Sequence, residues 1–452
     1  MRLHFSSALL PDGWARHVRV EISGGRFTKV ERDTNAHPHD ERIAVALPGM
    51  CNVHSHGFQR GMAGLSEFRG PLADNFWSWR TIMYKFVAHM TPADIEAISA
   101  QAYVEMLESG FTRVGEFHYA HHDPAGKPYA DPAETSARVV AAALTTGIGL
   151  TLLPVFYAHG GFGGAPPDQG QRRFITDVAG FARLLEASRV LIEPLGDAVV
   201  GVAPHSLRAV TPEELSQVVA LAGADPVHIH AAEQTGEVQQ CVAWSGARPV
   251  QWLLDHAPID SRWCLVHSTH IDGDEATRLA ASGAVAGLCP VTEANLGDGI
   301  FPADRYLASG GNFGIGTDSN VSIRLADELR QLEYSQRLRD RARNVVTSGE
   351  TFSTGRALFA GAVRGGTRAL GVKSAGIVVD AAADFFSLNV ESTAMAQRSG
   401  DALLDSFIFA GGNDCIDGVW RAGRQVVSQG RHAAREKVAV GYRAALARLL
   451  SD

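Results

Sequence analysis

Only five cysteines occur in 452 residues, Cys51, Cys241, Cys264, Cys289 and Cys415, and no two form a CxxC pair. An odd, scattered set supports neither a disulfide framework nor a cysteine zinc knuckle, and it fits a reducing compartment. No uncharged apolar run reaches 18 residues, so a membrane-spanning helix is not expected. The N-terminal stretch lacks the basic start, apolar run and small-residue cleavage site of a secretion signal. No strand–GxGxxG–helix unit is present. Gly160-Gly161 and Gly163-Gly164 fall in an irregular segment with no acidic strand end after them, so dinucleotide binding is not supported. Basic residues are the minority, 41 against 49 acidic, and the net charge of -8 disfavours a broad nucleic-acid surface. These absences lead us to expect a cytoplasmic protein with neither nucleic-acid nor membrane partners.

What is present is ordinary in bulk and unusual in detail. Apolar residues at 45% and charged residues at 20% are globular values that argue against disorder and coiled coil. Residues 1–47 read as short strands and turns, with LHFSSALL, the alternating HVRVEI, a Gly24-Gly25 turn, FTKV and RIAVAL. The same texture returns in AGIVVDAAADFFSLNV and CIDGVWRAGRQVVSQG, and residues 373–452 end in HAAREKVAVGYRAALARLL, which has helical spacing. Between them, 48–372 alternates eight apolar bursts with helix-like stretches. The bursts are GMCNVHSH, FTRVGEFHY, LTLLPVFYA, VVGVAPHS, PVHIHAAE, WCLVHSTH, AVAGLCPVT and NFGIGTDSN. Thr91-Pro92 and Thr211-Pro212 read as helix caps followed by proline at the first helical position. The expected fold is α/β, a (β/α)₈ TIM-like barrel with a small β-sandwich domain assembled from both chain ends. An open doubly wound sheet is the alternative.

Eighteen histidines are present, and their placement matters more than their number. His54 and His56 end the first burst, His205 the fourth, His228 and His230 the fifth and His267 the sixth, while Asp318 ends the eighth. Residues i and i+2 of a strand share a side, so His54 and His56 project together and can share one metal. The carboxyl ends of barrel strands are where this architecture carries its chemistry. Three imidazoles and a carboxylate suit a borderline divalent ion with one position open to water. His37, His39, His121, His122 and His432 stand in polar or loop contexts and are expected to face solvent.

With these residues in hand, the sequence resembles the amidohydrolase superfamily. PGMCNVHSH matches its PGxxNxHxH form, VHIHAAE its fifth-strand HxHxxE, and VHSTH and GIGTDSN its sixth- and eighth-strand ends. The resemblance implies metal ligands His54, His56, His230 and Asp318, and catalytic roles for Glu233, His267 and Asp318. Many two-metal relatives take a bridging carboxylated lysine or acid from strand three or four. TLLPVFYA and GVAPHS offer neither at their ends, so one divalent ion per subunit is expected, Zn²⁺ first, with Fe²⁺ and Mn²⁺ as alternatives. An acidified water, Asp318 as proton acceptor, His267 as its orienting partner and Glu233 as proton carrier suit addition of water across a C=N bond with loss of ammonia.

The formimidoylglutamate deiminase branch is the one the chain resembles most, through HGFQRGMAG, NFWSWR, GEFHY, APHSLRAV and GTDSNVSI. That resemblance implies a cytoplasmic homodimeric enzyme of histidine degradation that hydrolyses N-formimidoyl-L-glutamate to N-formyl-L-glutamate and ammonia. By the same resemblance Arg208 and Ser322 hold substrate carboxylates, and Gln59, Tyr119 and His205 surround the formimidoyl end. Arg80 is implied to come from the partner subunit. A deaminase of heterocyclic bases or pterins, an amide hydrolase and a non-catalytic scaffold are the competing readings. The 61–90 segment is a candidate lid, interface or both.

Overall fold

The computed structural model describes residues 1–68, 75–347, 352–374 and 376–451. Residues 69–74, part of the candidate lid segment, lie outside the described residues.

The eight apolar bursts become eight parallel strand positions. In chain order they are Met50–Ser55, Phe111–His118, Gly149–Phe156, the two short pieces Val199–Val200 and Ala203–Pro204, Val227–Ala231, Trp263–His267, Val285–Leu288 and Asn312–Ile315. Strands one, two, three, five, six and seven are buried at every residue. That is the pattern of a parallel sheet covered on both faces, and it explains why the bursts read as continuous apolar runs. The eighth strand pairs with the first through Ile315 and Asn52. Closure between strands four and five uses Val202 N donating to Pro226 O at 2.9 Å, His228 N to Val202 O at 3.0 Å and His230 N to His205 O at 3.0 Å. A side chain at Gly201 would sit 2.6 Å from the Pro226 carbonyl, so this seam closes only because position 201 has none.

Helices pack outside the strands. The expected caps form: Thr91 accepts from Asp94 N ahead of helix Pro92–Glu108, and Thr211 accepts from Glu214 N ahead of helix Pro212–Ala222. Each has a proline in its first turn, where no N–H is needed. Helix Thr354–Ala369 lies against strands eight and one, and its close approach depends on a second glycine. A Cβ at Gly365 would fall 1.9 Å from the Phe313 carbonyl oxygen.

The second sheet joins the chain ends. Its order is Arg431–His432, Arg424–Ser428, Ile416–Arg421, Phe385–Leu388, Glu41–Pro48, Arg2–Leu10, Gly13–Ser23 and Arg26–Glu31. The junction is antiparallel, with Phe385 opposite Pro48 and Phe386 opposite Leu47. Phe5, Val18, Val20, Phe27 and Ile43 from the beginning of the chain enclose Phe385 and Trp420 from its end. The last two rings stack at 4.7 Å. The terminal helix Arg435–Leu449 docks on helix Pro92–Glu108 through ion pairs Arg435–Glu108 and Arg448–Asp94.

Glycine to alanine in an exposed helix is stabilising by about 1 kcal/mol. At Gly365 the sign reverses, because the new methyl meets main chain that cannot step aside. We expect Gly365→Ala to cost about 2–3 kcal/mol in urea unfolding, and an unchanged midpoint would contradict the packing described.

Candidate active site

The carboxyl ends of strands one, five, six and eight converge, and a hydrogen-bonded brace sets their registry. Asn52 Nδ2 donates to Thr317 Oγ1 at 2.7 Å, while Asn52 Oδ1 accepts from Thr317 N at 3.1 Å. Thr317 Oγ1 passes its own proton to Asn320 Oδ1 at 2.6 Å. Asn320 Nδ2 then reaches Ser55 Oγ, His56 O and Asp318 O, all between 3.0 and 3.1 Å. Strand one is thus fastened to strand eight through buried amides. Asp318 and His267 adopt left-handed backbone conformations, φ 44° and 68°, that turn the chain sharply at the strand ends. Such conformations are uncommon outside glycine and gather at functional sites.

This brace brings the predicted ligands together. His54 Nε2 and His56 Nε2 lie 3.4 and 3.3 Å from Asp318 Oδ1, and His230 Nε2 lies 3.1 Å from His54 Nε2. His56 and His230 direct their Nδ1 atoms at the carbonyls of Phe117 and His205, each at 2.9 Å. Those contacts make Nδ1 the protonated nitrogen and leave Nε2 a lone pair facing the cluster. The His54 and His230 Nε2 atoms, 3.1 Å apart, need a proton or a cation between them. Two nitrogens on one tetrahedral ion would be about 3.3 Å apart. The four residues therefore fit a single divalent ion on their own geometry. Burial pushes His54 down to about 3 and lowers His56 and His230 as well, which keeps all three imidazoles neutral and ready to ligate. Burial alone would raise Asp318, but the hydrogen bond from His54 and the neighbouring imidazoles hold it ionised, well below the usual carboxylate range.

His267 Nε2 stands 3.8 Å from Asp318 Oδ2 and 4.0 Å from Glu233 Oε1. Burial disfavours its charge, yet Glu233, Glu293 and Asp318 outweigh that and raise it to about 10. Glu233 is buried and its acidity is weakened chiefly by burial, with Asp318 and Glu237 adding to the effect and His267 and Arg208 opposing it. A carboxyl raised towards neutrality is suited to accept and return a proton. Arg208 Nη2 lies 4.0 Å from Glu233 Oε2. Its charge survives burial because Glu237 and Glu233 face it.

The cavity over this cluster is lined by His56, Gln59, Tyr119, His205, Arg208, His230, Glu233, His267 and Asp318, so nearly every predicted residue reaches one space. Gln59 Nε2 donates to Tyr119 Oη at 2.7 Å, and Gln59 Oε1 is buried without a partner among the described residues. Helix Phe76–Val87 supplies Phe76, Trp79, Arg80, Met83 and Tyr84, one helical face laid over the cavity like a lid. The Arg80 and Arg208 guanidinium groups lie 4.6 and 5.8 Å from the Trp77 ring centroid.

One placement differs from the expectation. Ser322 does not line this cavity. The loop after Asp318 is pulled outward where Arg60 donates to the Asn320 and Val321 carbonyls, and Ser322 lines a separate cavity with Arg60 and Glu105. Arg80 lines the cavity of its own chain. Of the histidines expected at the surface, His121 and His432 are instead buried, with Nε2 bonded to the Val155 and Thr146 carbonyls. Residues the sequence reading missed include Tyr84, Tyr157 and Phe174 in the cavity wall and Glu293 behind His267, at 3.2 Å from its Nδ1. Tyr157 follows the third strand directly, so the strand-end rule that found the histidines could have found it.

Comparison with known proteins places the chain. Residues 45–426 match the amidohydrolase family, and the chain belongs to that family. Residues 2–44 match the N-terminal domain of formimidoylglutamate deiminase HutF. The chain is 51% identical, over 98% of both sequences, to formimidoylglutamate deiminase of Pseudomonas aeruginosa. An amidohydrolase from Brucella melitensis, known from its crystal structure, is 56% identical with a TM-score of 0.96 over 99% of both chains. At greater distance, 8-oxoguanine deaminase of Pseudomonas aeruginosa is 30% identical over 67% of this chain and 66% of its own. No helix among the described residues is long and apolar enough to cross a membrane.

The brace makes a direct prediction. Asn320→Ala should lower metal affinity about 10- to 100-fold, read by competition with a chromogenic chelator, with far-ultraviolet circular dichroism unchanged. Wild-type affinity would mean the amide brace does not govern ligand placement.

Proposed function

We propose that this chain hydrolyses N-formimidoyl-L-glutamate to N-formyl-L-glutamate and ammonia, as a metal-dependent formimidoylglutamate deiminase of histidine degradation. One observation carries the reading: beside a cluster of His54, His56, His230 and Asp318, the cavity lined by His56, His230, Asp318 and the buried proton carrier Glu233 also takes in two arginines, Arg80 and Arg208. An uncharged heterocyclic base needs no such arginines, whereas a substrate with two carboxylates does. Full-length identity of 51% to a formimidoylglutamate deiminase supports the same substrate.

His54, His56, His230 and Asp318 would hold the ion, for which we propose Zn²⁺ on the strength of the mixed imidazole and carboxylate donor set. When bound, a divalent ion acidifies water so that hydroxide is available near pH 7. Glu233 accepts the proton released from the attacking water and returns it to the nitrogen that departs as ammonia. His267, held from behind by Glu293, aims its Nε2 at the space between Asp318 and Glu233 and stabilises negative charge developing on oxygen. Gln59 Oε1, its amide nitrogen already committed to Tyr119, can accept a hydrogen bond from the cationic formimidoyl group. Arg208 and Arg80 balance the carboxylates. Water adds, ammonia leaves, and the carbon keeps oxygen as a formyl group, so the atoms balance. A cytoplasmic homodimer completes the proposal and rests on the likeness to the deiminases.

Purified protein loaded with Zn²⁺ should release one ammonia per N-formimidoyl-L-glutamate and leave N-formyl-L-glutamate. Ammonia released only from guanine or related bases would overturn the assignment. Glu233→Gln should keep its metal and lose at least about 10²-fold in kcat; turnover at the wild-type rate would remove the proton-carrier role.

A further inference from the structure

The outer half of the cavity is built from a different set of groups. His205 lies between the ligands and Tyr157, its ring 4.8 Å from His230 and 4.5 Å from Tyr157. Tyr119, by contrast, packs directly on ligand His56 at 5.0 Å. The His205 ring thus separates Tyr157 from ligand His230, and Tyr157 shares the cavity wall with Tyr84, Phe174, Arg80 and Arg208.

Gln171 fixes how the Tyr157 hydroxyl can bond. Gln171 is 1% exposed, and its Oε1 accepts the Asp168 N–H at 2.8 Å. Its other terminus is then the amide nitrogen, which donates to Tyr157 Oη at 2.7 Å. With the Gln171 amide donating to the oxygen, and Tyr84 a second hydrogen-bonding neighbour of the same hydroxyl, the phenol can still give its own proton to an acceptor in the cavity. Burial raises Tyr157 above the ordinary phenol range, and the hydroxyl stays protonated. The result is an O–H donor anchored from behind beside two guanidinium groups.

Resting on the proposed substrate, we propose that Tyr157, held by Gln171, is a specificity-determining donor to the side-chain carboxylate of N-formimidoyl-L-glutamate. The α-carboxylate sits on the carbon that bears the formimidoyl nitrogen, close to the reacting end. The side-chain carboxylate is three carbons further along, which carries it towards the outer wall. Arg80 and Arg208 supply charge there, and Tyr157 supplies a donor of fixed position that registers how far away the carboxylate is.

The test compares Zn²⁺-loaded wild type with Tyr157→Phe on two substrates, N-formimidoyl-L-glutamate and N-formimidoyl-L-2-aminobutyrate, which lacks the side-chain carboxylate. With the glutamate compound, the variant should show KM raised about 10- to 100-fold and kcat within about threefold. With the aminobutyrate compound, the two proteins should agree in kcat/KM within about threefold. Gln171→Leu, which leaves the hydroxyl but unfastens it, should show the same selective rise in smaller measure. Equal losses on both substrates, or no loss on either, would overturn the inference and leave the deiminase reading intact. Wild type that turns over neither compound would overturn both.

Discussion

Everything at the active end depends on strand eight lying against strand one in one register. A slip of one residue would move Asp318 away from His54 and His56 and turn alternate side chains to the wrong side of the sheet. The strand ladder pairs Ile315 with Asn52, and main chain carries the register on through the Ser55–Asp318 bridge and the bonds from His56 N to Asp318 O and from Thr317 N and Asp318 N to His54 O. Asn52, Thr317 and Asn320 do the rest through buried hydrogen bonds from amides and a hydroxyl. A buried amide left unpaired is costly, so the network is satisfied as a unit or not at all. This gives a physical reason for asparagine in the PGMCNVHSH segment, two residues ahead of the first ligand.

Charge inside the cavity is arranged by distance from the ligand cluster. Neutral imidazoles and one ionised carboxylate form the floor, with a cationic His267 beside them. Further out come Glu233, its carboxyl weakened as an acid, and then Arg208 and Arg80. The chain as a whole is acidic, at -8, yet its substrate cavity opens onto two guanidinium groups. Net charge describes the outer surface, and it carries no information about a recess closed off by helix Phe76–Val87.

The barrel was legible because each strand is a contiguous burst, and the candidate ligands and acid–base residues stand at strand ends. His54, His56, His230, His267, Glu233 and Asp318 all follow that rule, and the structure brings them within one cluster. Ser322 fails for a reason no spacing reveals. Counting four residues past Asp318 assumes the chain runs on into the cavity, whereas Arg60, in the 3-10 turn Gly57–Met62 that follows strand one, bonds the Asn320 and Val321 carbonyls outside it. His121 and His432 fail similarly, since their polar neighbours suggested solvent but main-chain carbonyls from other elements bury them. Glu293 sits within a short helix, Pro290–Leu296, and only three dimensions show that it backs His267. Local sequence reports strand ends well. It does not report which distant backbone reaches a side chain.

The split sheet has a consequence for how the chain is made. Strand Glu41–Pro48 is completed early, but its partner Phe385–Leu388 is about 340 residues away in sequence. At about 5–20 residues per second, that interval on the ribosome is roughly 20–70 seconds. Throughout it, the edge of Glu41–Pro48 carries unpaired N–H and C=O groups, and buried-to-be Val45, Ala46 and Leu47 are uncovered. The nascent protein thus holds an adhesive β edge for about three-quarters of its synthesis, until Phe385–Leu388 emerges to seal it.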